Sequence, residues 1–287
     1  MTETPGFFES WFLWRDPLAV AVIAASLCAL VGVYIVLKRI VFVSAAMSQM
    51  SGVGVALAFY LASIAGVDPH HAPLYLHPLW YALGFASLGA ALFSFNLGHR
   101  RLAGETVVGL GYLTAAAWVI MVLNSPRVQQ EAHEVNDLLY GSAVAVPPEQ
   151  IKIMVATALI VGILHSVFSK EFLFISFDPE MARTLGLRTR LYNLLLFLTF
   201  ALTISVSTRA IGALPVFAFM VIPPAAALLW ARRMWTVFAL SVTFAIFGAA
   251  FGYYASFQWN FHTGASMVIA ASLPLFPGLL RLRMGRS

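Results

Sequence analysis

Charged residues are scarce in this sequence of 287 residues. Asp, Glu, Lys and Arg make up 10% of it, whereas 61% of the residues are hydrophobic and the mean hydropathy is +0.86. Roughly a quarter of the residues in a typical water-soluble domain are charged. So few charges cannot cover a hydrated surface, and the composition therefore excludes a water-soluble fold.

Three further absences narrow the class of protein. Cys28 is the only cysteine, which excludes a disulfide within the chain. No segment matches G-x-x-x-x-G-K-[ST], so the chain has no P-loop with which to bind ATP. The first sixteen residues carry three acidic residues and no basic residue before Arg15, which argues against a cleavable signal peptide.

Nine apolar stretches are long enough to cross a bilayer, because a spanning helix needs about 20 apolar residues. We therefore predict an all-α, polytopic transmembrane bundle of about eight to nine spans that forms a single transmembrane domain over residues 1–287. The stretches lie near 18–37, 44–65, 79–97, 105–123, 151–169, 191–207, 211–230, 235–255 and 264–280.

The positive charge is concentrated on alternate connections. Lys and Arg are enriched in the cytoplasmic loops of membrane proteins, which predicts an external N-terminus, a cytoplasmic C-terminus and a place in the bacterial cytoplasmic (inner) membrane. This segregation explains the net charge of +5 without nucleic acid as a partner. The predicted cytoplasmic side holds Lys38, Arg39, Arg100, Arg101, Lys170, Arg183, Arg188, Arg190, Arg232, Arg233, Arg281, Arg283 and Arg286, and the predicted external side holds Arg15, Arg127, Lys152 and Arg209.

Apart from Glu105 and Lys152, which are the first and second residues of their stretches, no Asp, Glu, Lys or Arg lies within the nine stretches as bounded above. Carriers driven by an ion gradient usually keep an ionisable residue inside the membrane, because such a costly group is retained for a function. The pattern therefore favours transport energised from outside this chain. A stand-alone carrier or channel stays open as an alternative.

The longest internal hydrophilic segment, residues 170–190, is predicted to lie on the cytoplasmic side, with a short helical segment at about 176–190. Asp178 can cap a short helix that has Pro179 at its first position, Glu180 in its first turn and Gly186 at its end. Such a helix suits the docking of a partner protein. It is equally typical of an ordinary interfacial connection.

Several ordered motifs resemble those of permease subunits in the zinc/manganese-type metal ABC transporter family. Residues 178–186 match its D-P-E-x-A-x-x-x-G signature, and residues 32–40 are similar to its G-x-x-x-V-x-[RK]-R-[MR]. Residues 212–227 resemble its G-x-L-x-V-x-A-L-L-x-I-P-A-A-x-A block, while residues 51–58 and 137–146 match two further motifs more loosely. The resemblance extends from the first span to the last.

The resemblance implies a transport subunit without enzymatic activity of its own. It implies an importer of a divalent metal ion, zinc or manganese, with ATP and Mg²⁺ on separate ABC ATPase subunits and no cofactor in this chain. It also implies an extracytoplasmic solute-binding protein and a second permease copy in a homodimer. The residues that would couple to the ATPase are Asp178, Pro179, Glu180, Ala182 and Gly186.

The second span differs from the family pattern at two positions. The family usually has Asp and His four residues apart there, whereas this chain has Ala45 and Gln49. Gln49 and its serine neighbours could line the pathway, or they could simply pack helix against helix. The candidate lining residues are Ser44, Ser48, Gln49 and Ser51. These differences leave open a divergent permease of the same fold, for a non-metal solute or without transport activity.

A cluster of one histidine and two acids outside the spans has a different predicted role from the histidine inside a span. His133, Glu134 and Asp137 lie on the predicted external side, where they could attract a cation or contact a binding protein. His165 is the only histidine within a predicted span, and a hydrogen-bonded structural role is expected for it.

Overall fold

The computed structural model describes residues 11–67, 74–96, 103–126 and 148–284. Within these ranges the chain forms α-helices and one short 3₁₀ helix (Leu74–Leu76), and no β-strand. The helices are α1 (Trp11–Leu37), α2 (Val41–Ala65), α3 (Pro78–Asn96), α4 (Gly104–Leu123), α5 (Pro148–Val167), α6 (Ser169–Phe177), α7 (Pro179–Thr184), α8 (Thr189–Ile211), α9 (Ala213–Trp230), α10 (Met234–Trp259), α11 (Thr263–Ser272) and α12 (Leu275–Met284).

Nine stretches of the described residues are long and apolar enough to cross a membrane, which confirms the predicted polytopic bundle. Their limits agree with the sequence prediction within one residue at α4 (Gly104–Leu123 against 105–123) and within three residues at α2 (Val41–Ala65 against 44–65). The chain is thus a multi-pass protein of the cell membrane.

The buried centre of the bundle is formed by α8, α1 and α2, whereas α4, α5 and α10 are largely exposed. Small residues let the central helices approach closely, as is usual between membrane helices. Gly32 of α1 lies so close to Met220 of α9 that a Cβ atom would overlap the Met220 backbone. Gly252 of α10 approaches Met267 of α11 in the same way.

Two elements differ from the sequence prediction. The segment expected to be a hydrophilic connection contains α6, because Phe172 and Ile175 share one helix face and are buried in the core. The last span is broken between α11 and α12 at Pro274, which has no backbone N–H to continue the helix. The Pro274 carbonyl instead accepts a hydrogen bond from the Trp230 indole at 3.0 Å.

The sequence prediction places Thr208, Arg209 and Ala210 between two spans, whereas in the structure all three belong to α8. Helix α8 continues to Ile211, and a single residue, Gly212, separates it from α9. Gly212 has φ +88°, a conformation that glycine adopts without steric cost, so the chain turns there without a loop. Arg209 therefore lies within an apolar helix, and the scarcity of charge in the spans is a weaker argument against an ion-driven carrier.

Candidate coupling surface and translocation face

The start of α7 is fixed by its own sequence. The Asp178 carboxylate accepts a hydrogen bond from the Met181 backbone N–H at 2.9 Å, and Pro179 occupies the first turn. An aspartate in this position satisfies a backbone donor that the helix itself cannot pair. The predicted cap is therefore present.

The end of α7 is equally well defined. The Gly186 N–H donates to the Arg183 carbonyl at 3.1 Å, and the Leu187 N–H donates to the Ala182 carbonyl at 3.1 Å. This pair of bonds is a Schellman motif, which requires a left-handed residue after the helix. Gly186 supplies it with φ +82°, and the predicted helix end is confirmed.

The outer surface of α7 combines charge with exposed apolar side chains. Glu180 is exposed, and Met181 and Leu185 are 54% and 64% exposed. Such an apolar surface next to charged groups is typical of a protein interface. Ala182, in contrast, is fully buried, so it seats the helix on the bundle and does not contribute to the exposed surface.

A long-range hydrogen bond ties α1 to this region. The Lys38 ammonium, in the corner between α1 and α2, donates to the Ile175 carbonyl at 3.0 Å. Burial lowers the pKa of Lys38 to about 8. Ile175 belongs to the last turn of α6, directly before α7, and a cation there also interacts favourably with the helix dipole. The sequence singles out Lys38 as part of the motif at residues 32–40, which resembles the family's. It does not indicate that the Ile175 carbonyl is its hydrogen-bond partner.

Three serines of α2, Ser44, Ser48 and Ser51, are buried in the bundle. The Ser48 and Thr208 hydroxyls are hydrogen-bonded at 3.2 Å, which joins α2 to the C-terminal end of α8. The Ser44 hydroxyl donates to the Val41 carbonyl of its own helix at 2.8 Å, and the Ser51 hydroxyl is buried without a partner. Ala45 and Gln49 are half-buried.

Ser44, Ser48 and Ser51 present hydroxyl groups on one face of α2 and Gln49 presents an amide on a neighbouring face, and neither face carries a carboxylate or an imidazole. Across the described ranges, no three His, Cys, Asp or Glu side chains are grouped so that they could hold a metal ion. The two faces of α2 can therefore offer neutral oxygen ligands, which bind a divalent ion more weakly than charged ones. The candidate metal-capturing residues His133, Glu134 and Asp137 lie outside the described residues.

Ionisable groups meet near the predicted external ends of α3, α5 and α8. Burial lowers the pKa of His77, and the charge of Arg209 lowers it further, while Glu149 acts in the opposite direction. One guanidinium nitrogen of Arg209, Nη1, is buried without a hydrogen-bond partner. Sequence reasoning missed this grouping, because Arg209 was expected in a loop.

His165 occupies a structural position within α5. Its Nε2 atom lies 3.0 Å from the Thr199 hydroxyl of α8, and its ring packs against Tyr34 and Phe172. Both contacts match the hydrogen-bonded, structural role expected for it.

Comparison with known proteins shows relatives over almost the full chain. A protein-family model described as the ABC 3 transport family matches residues 12–281. The manganese import system permease protein ScaB of Streptococcus gordonii is 23% identical over 93% of this chain and 90% of its own length. The manganese transport system membrane protein MntC of Listeria innocua is 25% identical over 96% of this chain and 92% of its own length.

The fold is also found among solved structures. A chain of PsaBC from Streptococcus pneumoniae in complex with Fab has a TM-score of 0.77 at 22% identity, covering 93% of this chain and 90% of that chain. At this level of identity the similarity concerns the fold.

Proposed function

This chain belongs to the ABC 3 transport family, and from that membership we propose that it is the membrane-spanning permease subunit of an ATP-driven importer of a divalent metal ion, manganese or zinc. The observation that carries the proposal is the family match over residues 12–281, together with manganese permeases that align with more than nine-tenths of the chain. The chain itself is a transport subunit and not an enzyme.

The partners follow from this role. ATP and Mg²⁺ bind to separate ATPase subunits, which contact α7, and an extracytoplasmic solute-binding protein delivers the ion. Two copies of the permease form the pathway. The capped helix α7, with its exposed Glu180, Met181 and Leu185, supports the first of these contacts.

The contacts around α7 provide a route for coupling. Only four residues separate the end of α7 from the start of α8, so a displacement of α7 by the ATPase moves α8 directly. At its other end α8 contacts α2 through the Thr208–Ser48 hydrogen bond. We infer that α8 carries the movement from the ATPase surface to α2 at Ser48, the residue before Gln49.

Reconstitution tests the cargo. With the permease and its ATPase subunits in right-side-out vesicles loaded with ATP and Mg²⁺, and with the binding protein outside, Mn²⁺ or Zn²⁺ should stimulate ATP hydrolysis and accumulate in the lumen. Vesicles that hold the permease alone are the control and should transport nothing. Uptake by the permease alone would instead identify a stand-alone carrier.

A second candidate is a permease of the same fold for a non-metal solute, or a paralogue without transport activity. It is favoured by Ala45 and Gln49 and by the hydroxyl-lined face of α2. Absence of stimulation by manganese, zinc, iron and copper would support this candidate and contradict the first.

The Lys38–Ile175 hydrogen bond gives a further prediction. Lys38→Met keeps the apolar stem but removes the donor, so α1 loses its link to α6. A hydrogen bond from a charged group contributes about 1.5–3 kcal/mol, and we expect metal-stimulated ATP hydrolysis to fall roughly tenfold or more while the complex still assembles. Lys38→Arg should restore most of the activity, whereas equal activity of all three proteins would contradict the role of this bond.

A further inference from the structure

A large open cavity lies at the predicted cytoplasmic ends of the helices. Its volume is about 900 Å³, and it is bounded by the corner between α1 and α2, the ends of α3 and α6, helix α7 and the start of α8. These helix ends place it at the level of the lipid headgroups of the inner leaflet, if the predicted orientation of the chain is adopted.

The charged residues that line the cavity all have the same sign. They are Lys38, Arg39, Arg183 and Arg190, and no Asp or Glu is among the lining residues. The Lys38 ammonium is committed to the Ile175 carbonyl. Among the described residues the one ion pair is Arg15–Asp16 at the start of α1, so Arg39, Arg183 and Arg190 have no acidic partner there.

An apolar stripe leads from the cavity into the membrane. Phe95 lines the cavity and is 60% exposed, and Leu92 and Leu88 continue the same face of α3 with 45% and 53% exposure. The spacing i, i+4, i+7 places these three side chains in one row along the helix. All three belong to the apolar span Pro78–Phe95, whose end at Phe95 borders the cavity, so that Leu92 and Leu88 follow towards the depth of the acyl chains.

We propose that this cavity binds the phosphate headgroup of an anionic phospholipid from the inner leaflet, with an acyl chain along the α3 stripe. Basic pockets between the cytoplasmic ends of membrane helices recognise such headgroups. Neither an acidic segment of a soluble protein nor inorganic phosphate would cover the apolar row, which extends into the bilayer. A phospholipid supplies a negative headgroup for the unpaired basic side chains and an acyl chain for the apolar row on α3.

The position of the cavity gives this lipid a structural role. Pro179 and Arg183 of α7 form part of the wall, so a bound headgroup contacts the helix proposed to meet the ATPase. The lipid therefore holds α7 against the ends of α1, α3 and α8. The lipid site itself does not depend on the identity of the transported ion.

Native mass spectrometry of the full-length protein, extracted from vesicles of phosphatidylglycerol and phosphatidylcholine, tests the site. The unchanged protein should retain phosphatidylglycerol preferentially. The double variant Arg39→Gln/Arg190→Gln should retain about thirtyfold less, because each cation near an anionic surface contributes a factor of about five. The matched control Arg232→Gln/Arg233→Gln removes two basic residues between α9 and α10, outside the cavity, and should behave like the unchanged protein.

Two further arms separate the sources of the anion. Leu88→Ser/Leu92→Ser should weaken lipid retention without affecting the charges, and size-exclusion profiles would confirm that every variant is folded. Inorganic phosphate that displaces phosphatidylglycerol and raises the melting temperature equally would point to a free anion and overturn the proposal. Unchanged lipid retention in the Arg39→Gln/Arg190→Gln variant would overturn it as well, even if that variant failed to bind an ATPase.

Discussion

Replacing Glu180 with lysine should abolish co-purification of the ATPase subunits with this permease, while the permease still inserts into the membrane. Glu180 is exposed in the first turn of α7, so its loss costs the helix only about 0.3–1 kcal/mol of dipole interaction. Reversing a charge within a protein interface costs about 2–5 kcal/mol or more. We therefore expect binding to weaken at least about thirtyfold, measured by affinity capture from solubilised membranes.

A second variant tests the same surface through its backbone. Gly186→Trp places a bulky side chain where a Cβ atom meets no neighbour, and it forces a non-glycine residue into φ +82°. The Schellman end of α7 should open, and ATPase binding should again be lost. Glu105→Lys, an exposed acid at the start of α4 on the same predicted side, is the matched control and should assemble normally. Normal assembly with both α7 changes would remove α7 from the ATPase interface.

Gly32→Val should prevent the permease from folding into a stable bundle. A Cβ atom on Gly32 would overlap the backbone of Met220, which cannot move as a flexible side chain could. Overpacking of a core usually costs about 1–3 kcal/mol, and a clash with backbone lies at or above the upper end of that range. Helices α1 and α9 would have to separate, and both belong to the main core.

The thermal stability of detergent-solubilised protein checks this prediction. We expect Gly32→Val to aggregate or to melt many degrees lower. Gly109→Val in α4 is the matched control, because a Cβ atom there meets no neighbour within 4 Å. Equal melting of the two variants would contradict the close contact between α1 and α9.

The coupling helix was predictable because the signals that define it are local. Asp178 bonds to a backbone group three residues away, and Gly186 closes the helix through bonds that span at most five residues. Pro179 fixes the first turn through its own ring. Helix α6 escaped prediction, because its charged start at Lys170 and Glu171 hides the apolar face of Phe172 and Ile175.

The helical position of Arg209, unlike the caps of α7, could not be predicted from local sequence. Its neighbours Thr208 and Ala210 and the nearby Gly212 and Pro215 are typical of a loop, and a positive charge argued against a buried helix. The surrounding bundle instead buries this end of α8, and Gly212 turns the chain within one residue. The roles of His133, Glu134 and Asp137 stay predictions.

The sequence by itself determined that the chain crosses the membrane many times, where most spans lie, and where α7 starts and stops. Length, hydropathy and capping act over a few residues, so no knowledge of distant contacts is needed. The tertiary structure decided the Lys38–Ile175 link, across 137 residues, and the Ser48–Thr208 link, across 160. It also decided the gathering of basic residues from the α1–α2 corner, α7 and α8 around one cavity. These contacts depend on how helices far apart in sequence pack together.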